Sequence, residues 1–156
     1  MQSPLREFPQ ALEGQSLRVL VWDQDLVDMW CLDDDGERVP YRGKGSSWHF
    51  HADLELTAIT QGDGLIYVGD HIGRFTAPDC ILIGKDVPHV WKSDGPMTGV
   101  SLQFQLGATA GLGSLPEFAH LDRLWSRSGF GLRWQGQTSV ELREQVMKME
   151  PLQTMQ

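Results

Sequence analysis

The sequence predicts an all-β fold with a helical C-terminal tail. Three observations carry that prediction. Short apolar segments alternate with turn signals through the first hundred residues, at the spacing of about eight to twelve residues that marks a sandwich or barrel. Seventeen glycines and eight prolines supply the turns. Between those turns there is no room for the helical crossovers that a parallel sheet requires.

The elements follow in order. Ser16 to Trp22 (SLRVLVW) reads as the first strand, because β-branched and aromatic side chains suit a pleated surface. Asp33–Gly36 (DDDG) is a turn ending in the Asp-Gly pair typical of hairpins, and YRGKGSS is a loop. Trp48 to Thr60 reads as one long strand, Gln61–Gly64 as the next turn, and Leu65–Val68 as a strand. A turn at Gly69-Asp70 leads into a short strand and a loop. Cys80–Ile83 is a fully apolar strand; GKDVP then turns the chain into His89–Lys92, and SDGP turns it into Met97–Gln105.

After LGATAGLGS the pattern becomes helical. Ser114 and Glu117 form a capping box with Pro116 in the first turn, Phe118, Leu121, Leu124 and Trp125 follow at helical spacing, and Gly129 is the expected stop. Thr138 and Glu141 repeat the box, Leu142, Val146 and Met149 form the stripe, and Pro151 is expected to end that helix. The organisation is a β-barrel over residues 1–110 and a helical tail over 111–156 packing on it. The last residues, LQTMQ, open a new apolar pattern, so the segment reads as cut from a longer chain.

A length of 156 residues suits one core. The net charge of -8, with no basic cluster, excludes direct phosphate-backbone binding by this segment. Cys31 and Cys80 lack metal-type spacing and are too few for a disulfide framework; they read as free, buried thiols of a cytoplasmic protein. There is no signal-peptide core and no apolar run long enough to span a bilayer.

The chemistry concentrates in SSWHFHADLELTAITQG, Ser46 to Gly62. Alternate strand residues face one side, so His49, His51, Asp53 and Glu55 share a face. Imidazole nitrogen and carboxylate oxygen together suit a divalent metal such as Zn, Ni, Fe or Mn. A further ligand should come from a neighbouring strand, and His89 in DVPHVW is the candidate; His71 lies beside a turn and His120 on a helix. The same four residues also make sense as polar groups satisfying one another by hydrogen bonds in a barrel mouth. Trp91 shares parity with His89, and Gln103 with Gln105. An indole face and an amide suit a small polar, sugar-like ligand, while the plainer reading places Trp91 in the core and the glutamines in solvent. Trp48 points away from His49 and reads as core packing.

These residues resemble the cupin superfamily, a set of jelly-roll barrels with a first motif HxH(x)3–4E(x)6G and a second ending in PxGxxH. His49, His51, Glu55 and Gly62 match the first motif; in the second, His89 matches but Gly84 and Asp86 replace the proline and glycine. The resemblance implies a cupin-type double-stranded β-helix with metal ligation by His49, His51, Glu55 and His89. HFHADLELTAITQGDGLIYVGDHIGRF, ILIGKDVPHVWKSD, LQFQ, SLPEFAHLDRL and GLRWQG further resemble, in that order, the N-terminal sensing domain of AraC-type transcription regulators. Ala77-Pro78-Asp79 departs from that family's usual Pro-Gly-Asp, and its helix-turn-helix domain is not within these residues.

The resemblance implies an effector-binding sensor rather than an enzyme. Trp91 and Gln103 would contact a small polar effector, and DNA would be bound through a C-terminal domain outside this segment. The alternative is a stand-alone metal-dependent cupin enzyme (dioxygenase, isomerase or hydrolase). A third reading is an oligomerisation module, with Leu142, Val146 and Met149 as the seam of a homodimer.

Overall fold

The computed structural model describes residues 3–9, 17–24, 26, 29–33, 35–105, 116 and 121–152. Twelve strands and two helices occur among them: β1 Leu5–Arg6, β2 Leu17–Trp22, β3 Met29–Leu32, β4 Arg38–Tyr41, β5 His49–Phe50, β6 Leu54–Gln61, β7 Asp63–Val68, β8 His71–Thr76, β9 Asp79–Ile83, β10 His89–Ser93, β11 Thr98–Phe104, α1 Asp122–Ser128, β12 Leu132–Trp134 and α2 Gln137–Leu152. One sheet runs β1-β5-β10-β7-β8 and the other β12-β9-β6-β11-β2-β3-β4. All pairings are antiparallel except β1 with β5.

Strand parity sorts the side chains into two layers. Leu20 and Trp22 of β2 join Ile59, Ile66, Phe75, Ile83 and Trp91 in the core between the sheets. The alternate residues Val19 and Val21 point to the outer face of the larger sheet, where Ala58, Cys80, Val100 and Leu102 pack against Val146 of α2. Strand β9 is therefore buried on both faces, which explains its unbroken apolar run. Cys31 and Cys80 are free and buried, as expected.

Several expectations need correction. The single strand Trp48–Thr60 is two strands: β5 lies in the smaller sheet and β6 in the larger, with a bend over Ala52 and Asp53 between them. Apolar alternation cannot reveal that bend, because Asp53 stays buried by pairing with Arg18. Trp48 is not core; it is half-buried on the outer face, beside a groove of about 930 Å³. Gly129 does follow α1, but in a right-handed conformation (φ -58°), and the positive φ falls at Gly131 (+71°). Helix α2 starts at Gln137, so Thr138 lies inside it, and it runs past Pro151 to Leu152. The box at Ser114 and Glu117, together with Phe118 and His120, lies outside the described residues.

The stripe proposed as a dimer seam is used within the chain: Val146 is buried against the larger sheet, with Leu142 and Met149 packed around it. The tail is also more than a cover. Its β12 extends the larger sheet, pairing Trp134 with Cys80. Trp125 of α1 meets Phe104 edge to face at 5.9 Å.

Candidate metal centre

The bend between β5 and β6 places the sequence-predicted residues on two facing sheets rather than along one strand. His49 projects from β5, His51 from the bend and Glu55 from β6. His89, which pairs with His49 across β10, completes the group. A tight turn delivers His89. At Asp86, where the cupin motif has glycine, φ is +58°, a left-handed conformation that aspartate tolerates better than most residues. The Asp86 N–H donates to the His51 carbonyl at 2.8 Å.

His49, His51 and His89 each offer a ligand atom, and these atoms lie within 4.8 Å of one another in a fully buried cluster. Each Nδ1 meets a backbone carbonyl: His49 with Ser47 (2.8 Å), His51 with Asp53 (3.1 Å) and His89 with Val87 (2.8 Å). A carbonyl only accepts, so each Nδ1 carries the proton. The Nε2 atoms are thereby left for a ligand, as in metal sites whose histidines are oriented from behind. The buried Nε2 of His89 has no hydrogen-bond partner. An unpartnered buried acceptor between two other imidazoles is the feature a cation satisfies.

Glu55 lies against two of the three rings, with Oε2 at 3.0 Å from His51 Nε2 and 3.7 Å from His89 Nε2. Its Oε1 accepts from Thr57 Oγ1 (2.6 Å) and Ser101 Oγ (3.0 Å). Burial pushes this carboxyl up, but the electrostatic influence of the adjacent His51 and His89 rings outweighs it and holds it well below the usual range.

Gln103 is buried and donates its amide to Glu55 Oε2 at 2.9 Å, while the same nitrogen lies 3.3 Å from His51 Nε2. Its oxygen accepts from Arg18 Nε at 3.3 Å, and Arg18 is ion-paired with Asp53. Gln103 therefore orients the centre in this conformation. Trp91 is buried with its ring 5.6 Å from that of His89. The cavity that Trp91 and Gln103 line, beside His49 and Glu55, measures about 20 Å³, room for about one water. A cleft of about 440 Å³ lies elsewhere, between Leu54, Lys85 and helix α1. His71 is exposed on β8, away from the cluster, and Gln105 is an exposed side chain that donates to Asp53.

Sequence reading missed Arg18, Thr57, Ser101 and Glu7. Strand register brings the first three to the centre: Arg18, Gln103 and Glu55 form a row across β2, β11 and β6, and Ser101 faces Thr57 in the next inward row. In the sequence only the shared parity of Thr57 with Glu55 and of Ser101 with Gln103 marks them, and Glu7, which arrives through the parallel pairing of β1 on β5, carries no mark at all.

No protein-family model and no curated protein matches the chain. None of the described helices is long and apolar enough to cross a membrane.

The centre predicts acid sensitivity of the metal-free protein. Burial, then the charge of His89, lowers His49 from 6.5 to about 4. Between those values the unfolded chain binds more protons than the folded one, so stability rises with pH across the window. It should fall as the pH drops from 6.5 to 4, by about 3 kcal/mol from this group. Glu55 acts in the same direction, its contribution being lost as pH falls through its depressed folded value. Urea unfolding in chelator at several pH values checks this; equal stability at pH 6.5 and pH 4.5 would refute it.

Proposed function

We propose that this chain is the metal-binding sensing domain of an AraC-type transcription regulator, built on a cupin-type jelly roll. The observation that carries the reading is the convergence of three buried imidazoles whose Nδ1 atoms are all committed to backbone carbonyls. His49, His51 and His89 would hold a divalent ion, with the Glu55 carboxylate beside it. Bound there, the ion would supply a fixed positive charge. Zinc, nickel, iron and manganese all suit such nitrogen and oxygen donors.

Two features favour sensing over turnover. The space beside the centre is water-sized, whereas an enzyme needs room for substrate next to the ion. The turn that delivers His89 also touches the tail. The Gly84 N–H donates to the Ser128 carbonyl at the end of α1 (2.9 Å), and a Cβ at Gly84 would stand 2.7 Å from that carbonyl's carbon. Occupancy of the centre thus has a short path to the tail, and through it to a DNA-binding domain C-terminal to this segment. Such a regulator works in the cytoplasm. A sugar-like effector at Trp91 and Gln103 requires the interior to open; the cleft against α1 already has the volume for one.

The test is hydrogen exchange with and without zinc. Zinc should slow exchange in the peptide covering α1 and the Gly129–Gly131 turn, as well as around the histidines. Protection confined to the histidines would sink the sensing reading and leave only a structural ion.

A further inference from the structure

The metal reading does not explain Glu7. This carboxylate follows β1, a two-residue strand, yet it is only 7% exposed. Its Oε1 accepts from the Tyr41 hydroxyl (3.2 Å) and from the Lys44 N–H (3.1 Å). Burial, then the Glu7 charge, raises the Tyr41 hydroxyl, which keeps it a donor. The other oxygen, Oε2, points at the centre and lies 3.2 Å from His49 Nε2. Glu7 also lines the water-sized cavity together with His49 and Glu55.

That contact is chemically incomplete. The His49 Nδ1 proton goes to the Ser47 carbonyl, so Nε2 presents a lone pair to a carboxylate oxygen that also presents lone pairs. Two acceptors this close call for a cation or a proton between them. The back of the carboxylate is held by two donors, as ligating carboxylates usually are. There is no space for bulk behind it either: a Cβ on Gly43 would stand 2.9 Å from Glu7 Oε1 and 2.5 Å from the Tyr41 ring.

We propose that Glu7 is itself a ligand of the metal ion, so that the ion ties the N-terminal strand to the barrel. The proposal rests on the metal reading above. Strand β1 is otherwise held to this sheet by few bonds, among them Leu5 N–H to the Trp48 carbonyl (2.9 Å) and Glu7 N–H to the Phe50 carbonyl (2.8 Å). An ion shared by Glu7 and the histidines adds a crosslink from the chain's start to His51 and His89. Docking of β1 then becomes metal-dependent.

The experiment titrates cobalt(II) into the wild-type chain and into Glu7→Gln and Tyr41→Phe, reading visible absorption and amide exchange in the peptide containing Leu5–Glu7. In the wild type, cobalt should bind and slow exchange in that peptide. Glu7→Gln should bind cobalt at least 10-fold more weakly, with altered band intensity from a changed ligand set, and its β1 peptide should gain no protection. Tyr41→Phe keeps the carboxylate and loses one supporting donor, so a loss of several-fold is expected with the spectrum unchanged; it carries the test if Glu7→Gln does not fold. Equal affinity, spectrum and β1 protection in Glu7→Gln would overturn the assignment while leaving the histidine centre intact. Faster β1 exchange on adding cobalt to the wild type would overturn it too, since the ion would then displace Glu7. No cobalt binding by the wild type would bring down the metal reading, and this inference with it.

Discussion

In the His89→Ala variant, metal content should fall from about one ion per chain to background, because one of only three converging imidazole donors is lost. Affinity should drop by more than roughly 100-fold, the upper end of what loss of a mere supporting partner costs. His89 is the sharpest probe because its Nε2 is buried without a hydrogen-bond partner. In a set of polar residues that only bond one another, removing an unpartnered nitrogen would matter little beyond the space it leaves. The effect also appears in stability. An ion at about 1,000 times its dissociation constant stabilises the folded state by about 4 kcal/mol. Zinc should therefore raise the unfolding midpoint of the wild type and leave that of His89→Ala unchanged. His71→Ala, at an exposed residue of β8, is the control and should behave like the wild type. Elemental analysis and thermal melts with and without zinc decide the matter. Wild-type protein with no zinc-dependent shift would refute the centre.

Asp53→Ala should be the most destabilising single change in the network behind the centre, costing about 3–5 kcal/mol. Asp53 and Arg18 are both buried, at 1% and 6% exposure, and form an ion pair. Removing one partner leaves the other charge buried and uncompensated, which is worse than removing both. The double variant Arg18→Met/Asp53→Ala should therefore recover part of the loss. A further consequence separates this pair from an ordinary structural bridge. Arg18 holds the oxygen of Gln103, and so turns its amide toward Glu55 and His51. Freed from Arg18, that amide can rotate and present its oxygen to the Glu55 carboxylate, so the double variant should bind zinc more weakly than the wild type even where its stability returns. Urea unfolding and a zinc titration of the three proteins check both parts. A single-variant cost below about 1 kcal/mol, the scale of an exposed pair, would show that the pair is not desolvated as described.

Much of this arrangement was legible in the residues. The apolar stretches around Val19, Ile66, Ile81, Trp91 and Val100 and the turns between them follow from local preference. The match of His49, His51 and His89 to ligand spacing needs only residue type and order. The route by which those histidines meet was not legible. Strand parity puts His49, His51 and Glu55 on one face of one strand, whereas they sit on two sheets joined by a bend. Both geometries give the same inward set, so the right group emerges from an incorrect local picture. Trp48 shows the converse. Its parity is opposite to His49, as expected, but the far side of that short sheet is an open groove and not a second core layer. Whether a face is covered depends on what packs against it, and among the described residues α2 packs on the larger sheet.

The sequence by itself determined the fold class, the turns, the helical tail and the three histidines, because these depend on short-range periodicity and residue chemistry. Tertiary structure alone decided the crossing between sheets at Ala52 and Asp53, the Arg18–Gln103 support, the arrival of Glu7 beside His49, and the use of Val146 as core. The last three join residues distant in the chain, such as Glu7 with His49 or Arg18 with Gln103, and the crossing depends on which sheet each flanking strand enters. Such contacts arise from strand register and sheet packing, which no local window of sequence contains.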